Sequence, residues 1–351
     1  MLVPAATLEA LYVRFARHHG ADDEEAAIFA AGLLRADLRG HTTQGVALLA
    51  YIDELITTGE MAFGRPLRVV RETAATALVD GQRSVGQVVG TRAMALAIAK
   101  ARDAGIGFVS VRGSSDYAMA STYALQALDA GLIGLSMSTG PILVAPWGGR
   151  DARFCTNPLA LAVPAGARDP IVIDMATSAY SMGAVVRAAR DGETLTGRGV
   201  VGADGRYTDD PAAVILDVMD RESRMAGALL PAGPKGFGWL LLVELLSGLL
   251  SGERTWEDER PATTEERPAH YGQTFAAIAI EHFQDPAAFA AAADRMIDTL
   301  TGDRPAEGFD GVRLHGAAAA AAERRARAHG VEVRDEEWAL VERLAERLGI
   351  A

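Results

Sequence analysis

Three groups of residues combine turn formers with polar side chains at positions suited to binding a small anionic ligand. Pro146 to Gly149, with Thr156 to Pro158, predicts two tight turns with free backbone amides and an indole beside a strand, although turn formation alone also explains the Gly and Pro. Asp174 to Ser178 ends an apolar strand with a carboxylate and two hydroxyls, and an N-cap for the next helix is an equal interpretation. Pro234 to Gly238 places a lysine where a helix begins, and a helix N-terminus attracts anions.

Lysine is rare in this chain, which gives the third group additional weight. Of 34 basic residues only Lys100 and Lys235 are lysines. Arginine and lysine are not interchangeable, so each remaining lysine is a candidate for a specific role. We interpret Lys100, at the end of an apolar helical segment, as a surface lysine and Lys235 as a reader of phosphate.

Composition excludes several classes of protein. The 351 residues carry 46 acidic and 34 basic side chains, a net charge of −12, which argues against binding nucleic acid or an anionic membrane surface. The single cysteine, Cys155, excludes internal disulfides, and the scattered histidines show no metal-ligand spacing. The most apolar segment, Trp239 to Leu250, is too short to cross a bilayer. We therefore expect a cytoplasmic protein with a small-molecule ligand and no metal.

General nucleotide-binding and hydrolase motifs are absent. Gly105-Ile106-Gly107 does not continue into the GxGxxG pattern of a Rossmann fold, and the chain has neither a P-loop nor a GxSxG sequence. The absence of these motifs leaves the type of reaction undetermined.

The elements that must position the three groups follow from hydrophobic periodicity and turn residues. Helical periodicity dominates the first sixty residues and the segment from Pro286 onward, and a loop is predicted from Gly192 to Asp210. A charged segment from Glu253 to Pro268 is predicted to be exposed or mobile. The predicted strands are Ala77–Val79, Ile106–Val111, Ile133–Met137, Leu159–Val163, Ile171–Met175 and Phe275–Ile280, and the predicted helices between them are Val88–Arg102, Met119–Ala130, Met182–Arg190 and Phe237–Leu250.

This layout predicts an α/β protein in which helical chain ends enclose a central sheet. We expect a discontinuous helical domain from residues 1–72 and 286–351, and a sheet domain from residues 73–285.

Together with Arg39 to Val46 upstream, the three groups resemble the malate/L-lactate dehydrogenase family of the non-Rossmann type, in the same order and at the same spacing. That family includes sulfolactate and ureidoglycolate dehydrogenases, diketogulonate reductases and reductases of piperideine carboxylate. The resemblance covers nearly the whole chain. It implies a homodimer with a mixed-sheet nicotinamide-binding domain, and hydride transfer to 2-oxo acids or cyclic imino acids from NADH or NADPH.

The resemblance also implies roles for individual residues. Gly140 corresponds to a loop close to substrate and nicotinamide. The expected cofactor-binding residues are Asp174, Met175, Ala176 and Lys235, to which the two turns add Pro146, Trp147, Gly148 and Asn157.

The chain departs from these relatives at the residues that perform chemistry. The family's Asp-Ser-His-Gly is matched by Thr42, Thr43 and Gln44 before Gly45, and an arginine four residues after that histidine is matched by Leu48. Three further motifs differ: Asn-His-(Phe/Tyr)-Gly corresponds to Ser115-Asp116-Tyr117-Ala118, Gly-His-Phe to Gly272-Gln273-Thr274-Phe275, and Pro-Gly-Glu to His315-Gly316-Ala317.

These departures predict an altered substrate. Without the arginine, a pocket lined by Thr43, Leu48 and Gln44 lacks a bidentate carboxylate anchor, so a simple 2-oxo acid is disfavoured. Without the histidine, carbonyl reduction lacks a proton donor suited to neutral pH, whereas an iminium requires no proton as hydride arrives. The catalytic candidates are Asp116, which would stabilise a cation, Tyr117 as a weak acid, and Gln44. Nearby His41 is interpreted as structural.

The favoured function is reduction of a C=N or iminium bond in an atypical substrate, such as a biosynthetic intermediate. Reduction of a ketone or polarised alkene, with Asp116 or Tyr117 as proton donor, is the close alternative. A second class of alternative is a non-redox enzyme or an inactive ligand-binding relative built on the same scaffold.

Overall fold

The computed structural model describes residues 1–197, 199–214, 226–253 and 271–350. Its largest element is a seven-stranded mixed sheet, so the predicted α/β class is confirmed. In chain order the strands are β1 (Leu2–Val3), β2 (Arg68–Glu72), β3 (Thr76–Asp80), β4 (Ile106–Arg112), β5 (Ile133–Ser138), β6 (Leu159–Val163), β7 (Ile171–Met175), β8 (Val200–Val201), β9 (Tyr207–Thr208), β10 (Ala228–Leu229), β11 (Gln273–Ile278) and β12 (Val331–Glu332).

The sheet has the order β2-β3-β4-β11-β5-β6-β7. Within the described strands only β3 and β4 pair in parallel, and every other neighbouring pair in this sheet is antiparallel. This pattern differs from the parallel, doubly wound sheet of a Rossmann fold. It agrees with the absence of a GxGxxG motif from the sequence.

The helices cover the sheet and form the chain ends. Glycine at position 105 ends α4 with φ of 82°, a left-handed conformation that confirms the predicted helix end. The π-helical segment Glu244–Leu249 directly continues α7. The helices are α1 (Ala5–His18), α2 (Asp23–Leu38), α3 (Leu49–Thr57), α4 (Gly86–Ala104), α5 (Ser121–Asp129), α6 (Met182–Asp191), α7 (Gly233–Val243), α8 (Pro286–Thr301), α9 (Ala317–His329) and α10 (Asp335–Leu348).

One hydrophobic core contains residues from both chain ends. Leu8, Phe15 and Phe29 from the first two helices share it with Val331 and Leu344 near the C-terminus. Strands β1 and β12 also pair with each other. Strand β2 belongs to the large sheet although it precedes the predicted boundary at residue 73, and the boundaries themselves stay a prediction.

A second core lies between the sheet and helices α4 and α5, where Met94, Val109 and Phe275 are buried. On the opposite face, Val243 of α7 packs with Met137 and Leu159. The sheet is therefore covered on both faces, which leaves the loops at its ends as the places where polar side chains can gather.

Two expectations from the sequence were wrong. The predicted loop from Gly192 to Asp210 contains β8 and β9, which pair with β10 in a three-stranded sheet, because the short apolar pair Val200–Val201 is buried there. Lys100 is buried rather than exposed, and its Nζ donates to Glu72 Oε1 at 2.8 Å and to the Thr73 carbonyl at 2.6 Å.

Residues 254–268 of the segment predicted to be exposed or mobile lie outside the described residues. Glu253, the first residue of that segment, is buried, and its Oε2 accepts a hydrogen bond from the Gly113 amide at 2.6 Å.

Candidate active site

Five polar segments converge at one end of the large sheet because of its antiparallel pairing. Strand β11 begins beside the ends of β4 and β5, since Gln273 is opposite both Val111 and Ser138. Strand β6 begins beside the ends of β5 and β7, since Leu159 is opposite Met137 and Met175. The segments at this end are Ser114–Tyr117, Thr139–Gly140, Cys155–Asn157, Asp174–Ala176 and Tyr271–Gln273.

The segment after β4 is held by hydrogen bonds to its backbone. Gln273 Nε2 donates to the Ser115 carbonyl at 3.0 Å, and the Ser115 hydroxyl donates to the Ser84 carbonyl at 2.9 Å. Asp116 Oδ1 accepts from the Ala118 amide at 2.8 Å. A Cβ at Gly86 would overlap the Asp116 carbonyl, so glycine allows α4 to pack directly beneath this turn. Asp116 is therefore presented, half-buried, on a fixed turn.

The two acid candidates on this turn have different environments. Tyr117 is 4% exposed and stacks on Tyr123 with ring centroids 4.9 Å apart, within the core that also contains Phe275. Burial, with the charge of Asp174 adding to it, raises the pKa of Tyr117 well above its usual range. The phenol is thus held neutral in the core, whereas Asp116 is half-exposed.

Tyr271, a residue that the sequence interpretation did not select, lies at the centre of the convergent segments. A Cβ built on Gly140 would lie 3.0 Å from Tyr271 Cε1 and 3.1 Å from Cys155 Sγ. The hydroxyls of Tyr271 and Tyr51 are 3.4 Å apart. Burial, followed by the effects of Tyr51 and Asp116, raises the pKa of Tyr271 well above its usual range. Gly140 and this tyrosine pair therefore occupy one neighbourhood, and the Ser114 amide, two residues before Asp116, donates to the Tyr271 carbonyl at 3.2 Å.

Asn157 is fully buried and joins this neighbourhood to α7. Its Nδ2 donates to the Leu240 carbonyl and to Glu244 Oε2, both at 3.0 Å. Its φ of 42° is a left-handed conformation that asparagine tolerates better than most residues. The structure thus shows Asn157 positioning β6 against α7.

The segment from Thr42 to Leu48 approaches from the helical core. Asp37 Oδ1 accepts from the Val46 amide at 2.9 Å, and the Tyr12 hydroxyl donates to Asp37 Oδ2. Leu48 is 6% exposed and belongs to the core shared by the two chain ends. Hydrophobic packing therefore occupies the position at which the family resemblance predicts an arginine.

Gln44 and Thr43 are half-buried in the short helix Thr42–Gln44. A Cβ built on Gly183 of α6 would lie 3.8 Å from Thr43 Cβ. The described contacts thus connect Thr43 with α6. Asp116 and Gly140, in contrast, belong to the convergent segments at the end of the large sheet.

Most of the predicted cofactor-binding residues lie in two groups. One is the turn at Pro146, Trp147 and Gly148, and the other combines the end of β7 with the start of α7. Trp147 is 47% exposed on a turn closed by the Gly149 amide, which donates to the Pro146 carbonyl at 2.8 Å, and Gly148 in this turn has φ of 86°. Lys235 and Met175 are exposed, and Ala176 is half-buried.

The start of α7 lies beside the segment after β7. The Ala232 amide donates to the Thr177 carbonyl at 3.0 Å. Lys235, in the first turn of α7, is thereby near the segment that contains Asp174 to Ala176.

Asp174 lies at the edge of a cavity of about 480 Å³. Its Oδ2 accepts from the Ser121 amide at 2.9 Å, at the first residue of α5. His41 also lines the cavity. Burial lowers the pKa of His41 below its usual value, against the opposing charge of Asp174, and the charge of Arg39 lowers it further. This histidine is therefore neutral at pH 7, as a donor or acceptor of hydrogen bonds.

Sequence reasoning missed Tyr51, Tyr271, Asp37 and the cavity residue Arg39. Tyr51 and Tyr271 are separated by 220 positions, and no local motif connects them. The family motif around Arg39 was recognised, but only the fold shows that Arg39 and Asp174 line the same cavity.

Among the described residues no group of three or more histidine, cysteine or acidic side chains is placed to bind a metal ion. In the same part of the chain, no helix has the length and apolar character required to cross a membrane.

Comparison with known proteins gives a consistent result. Residues 3–342 match the family model described as malate/L-lactate dehydrogenase. The chain is 37% identical over 323 residues to a malate dehydrogenase of Pyrococcus abyssi, with 90% of this chain and 86% of the relative covered. It is 31% identical over 311 residues to an L-sulfolactate dehydrogenase of Methanocaldococcus jannaschii, with 88% and 87% covered.

Solved structures agree over the full chain. A malate dehydrogenase from Pyrococcus horikoshii superposes with a TM-score of 0.88 at 33% identity, with 100% of this chain and 96% of that chain covered. A delta1-piperideine-2-carboxylate reductase from Pseudomonas syringae superposes with a TM-score of 0.85 at 29% identity, with 98% and 100% covered. The resemblance predicted from separated motifs is confirmed. The chain belongs to the malate/L-lactate dehydrogenase family of NAD(P)-dependent oxidoreductases.

Proposed function

We propose that this protein reduces a C=N or iminium bond, with NADH or NADPH, in a substrate that is not a simple 2-oxo acid. The supporting observation is the burial of Leu48 in the helical core, where a carboxylate-binding arginine is expected from the family resemblance. A buried leucine cannot replace the paired hydrogen bonds that a guanidinium makes to a carboxylate. The substrate is therefore recognised by contacts other than that anchor.

Asp116 supports the choice of an iminium. Its carboxylate is held by the Ala118 amide on the turn that follows Ser114, whose amide donates to the Tyr271 carbonyl at 3.2 Å. A carboxylate stabilises a cationic substrate nitrogen before reduction. When hydride adds to the iminium carbon, the C=N π electrons become the nitrogen lone pair and the positive charge disappears. No proton is consumed in that step, so the missing histidine is not required for it.

The proposed cofactor residues suit a dinucleotide in their charge and position. Lys235 is exposed at the start of α7, where the helix dipole and the ammonium group both favour phosphate. The residues proposed to hold the cofactor are Asp174, Met175, Ala176 and Lys235, with Pro146, Trp147 and Gly148 on a separate turn as further candidates and Asn157 as a support of α7. When bound, the reduced cofactor supplies the hydride.

A substrate panel tests the proposal. Purified protein is incubated with NADH or NADPH and with cyclic imines or 2-oxo acids, cofactor oxidation is followed by absorbance, and products are examined by mass spectrometry. We expect oxidation of the cofactor and a gain of about two daltons with an imine. Faster turnover of pyruvate or oxaloacetate than of every imine would overturn the preference.

Reduction of a ketone or polarised alkene is the second candidate, favoured by the Tyr51 and Tyr271 hydroxyls, which are 3.4 Å apart beside Gly140. Ketone reduction places hydride on carbon and requires a proton for the oxygen. A hydroxyl in this neighbourhood or Asp116 would be its source, whereas the phenol of Tyr117 is held in the core, with its pKa raised by burial. A solvent deuterium isotope effect on turnover of a ketone, lost in Tyr51→Phe, would favour this candidate.

The non-redox alternative has its own signature in the same panel. A product whose mass equals that of the substrate would favour it. The absence of turnover, together with no binding of NADH or NADPH, would favour it as well. We also propose that the protein is a homodimer, which sedimentation velocity tests directly.

A further inference from the structure

The two residues that follow Asp116 pack into different hydrophobic cores. Tyr117 belongs to the core between the sheet and helices α4 and α5, where it stacks on Tyr123. Ala118 packs against the helical core, which the two chain ends share. The turn that presents Asp116 therefore lies where the two cores meet.

The backbone of Ala118 is in a left-handed conformation, with φ of 62°. In this region the Cβ of an L-residue approaches the following carbonyl oxygen, so residues other than glycine are strained there. Among the described residues, only Gln82, Arg83, Ala118 and Asn157 combine a side chain with a positive φ. A strained conformation persists where the surrounding contacts over-determine it, and such conformations cluster at functional sites.

Several contacts hold the strained turn in place. The Ala118 amide donates to Asp116 Oδ1 at 2.8 Å, and the Tyr117 carbonyl between them accepts from the Tyr123 hydroxyl at 2.5 Å. A Cβ at Gly86 would overlap the Asp116 carbonyl, so the backbone of α4 lies directly against the turn. The Ala118 amide is thus the group that connects this fixed backbone to the carboxylate.

The methyl group of Ala118 supplies a restraint that glycine would lack. Glycine adopts left-handed conformations without strain, but it also populates many other conformations and has no Cβ to pack against the helical core. With glycine at position 118, the amide that donates to Asp116 Oδ1 would lose both restraints. The strained alanine therefore fixes the direction of an amide that orients the Asp116 carboxylate.

We propose that Ala118 is a positioning residue for the reductase reaction, because its left-handed backbone and its methyl group on the helical core hold the Asp116 carboxylate in its productive orientation. This inference rests on the proposed function, in which Asp116 faces the substrate. It assigns to Ala118 an effect on turnover that is separate from its effect on stability.

Ala118→Gly separates these two effects. Relief of the left-handed strain offsets the lost methyl contact and the added freedom of the unfolded chain, so the variant should keep the wild-type melting temperature. Its kcat on the fastest imine of the substrate panel should fall by about tenfold, because a small displacement of a reacting group lowers kcat strongly. Its affinity for NADH and NADPH should be unchanged. Ala118→Ser retains the Cβ and should keep kcat within about twofold of wild type.

Gln82→Gly is the matched control. Gln82 has φ of 55° but an exposed side chain, so this variant relieves the same kind of strain away from the helical core. Hydrogen exchange, followed by mass spectrometry on the full chain, measures the restraint without any substrate. Amides of residues 114–118 should exchange at least about tenfold faster in Ala118→Gly and at the wild-type rate in Gln82→Gly.

The outcomes distinguish this inference from the proposed function. Unchanged exchange at residues 114–118 in Ala118→Gly would overturn the inference in an active or an inactive protein. Faster exchange with wild-type kcat would also overturn it, as would a loss of kcat that only accompanies a lower melting temperature. If the wild-type protein turns over no member of the substrate panel, the proposed function fails, and the exchange rates still decide whether Ala118 holds the turn.

Discussion

Asp37 Oδ1 accepts a hydrogen bond from the Val46 amide at 2.9 Å, and this contact connects α2 with the segment that contains Thr43, Gln44 and Leu48. A Cβ at Gly45 would overlap the same carboxylate, so the contact requires glycine at that position. The position of this segment therefore depends on one buried acid.

The titration of Asp37 should be visible in the pH dependence of stability. Burial raises its pKa to about 7, against the hydrogen bonds from Tyr12 and Val46 that lower it, and the charge of Glu337 raises it slightly. The folded state therefore binds a proton more tightly than the unfolded state does. Its stabilising contribution is complete below about pH 4 and is lost as pH rises toward about 7. Thermal unfolding should show that Asp37→Asn loses less stability than wild type between pH 5 and 8. Parallel curves for the two proteins would contradict this assignment.

Removing the charge of Asp116 should impair turnover without impairing cofactor binding. If its carboxylate stabilises a cationic substrate, Asp116→Asn should lower kcat on a reactive imine by about a hundredfold. The affinity for NADPH, measured by calorimetry, should be unchanged. Asp103→Asn, at an exposed position on α4, is the matched control. A variant at position 116 with wild-type kcat would remove Asp116 from the proposal.

Gln273 should act by positioning the Asp116 turn. Its Nε2 donates to the Ser115 carbonyl from a fully buried side chain, so Gln273→Ala leaves that carbonyl without this donor and opens space. We expect a loss of about 1–3 kcal/mol in the free energy of unfolding, measured in urea. The variant should also lose kcat, whereas Gln273→Glu should change the pH profile of kcat, because the new acid lies beside the turn. A stability loss with kcat and its pH profile unchanged in both variants would show a purely structural role.

Cys155 should resist modification in the folded protein. Burial raises the pKa of its thiol to about 11, against hydrogen bonds from Asn157 and Thr156. Because the thiolate is the reactive form, a disulfide reagent at pH 8 should label native protein far more slowly than unfolded protein. Rapid labelling of the native chain would contradict the burial of this residue beside Gly140.

The sequence predicted the regular elements of the sheet well because their periodicity and turn residues are local. Strand β7 and the helix ending at Gly105 were both confirmed. The short pair Val200–Val201 was missed because its burial depends on β10, almost thirty residues later. Lys100 was misinterpreted because its partners, Glu72 and Thr73, lie across the β2–β3 turn from its own helix.

The candidate site was only partly predictable for the same reason. Motif comparison identified which residues differ from the family, including Gln44, Leu48 and Asp116, but it did not indicate what surrounds them. Proximity of Tyr51 to Tyr271, and of Arg39 to Asp174, arises from packing between distant segments. A sequence motif reports such proximity only when a relative has already revealed it.

Strand β11 pairs with β4 on one side and β5 on the other through backbone groups along its whole length. Exchanging the side chain at Gln273 therefore leaves both pairings in place, although it changes the residue beneath the Asp116 turn. Laboratory evolution could exploit this separation: libraries confined to Ser115, Asp116, Tyr271 and Gln273 would sample new substrates while retaining the strand register on which folding depends.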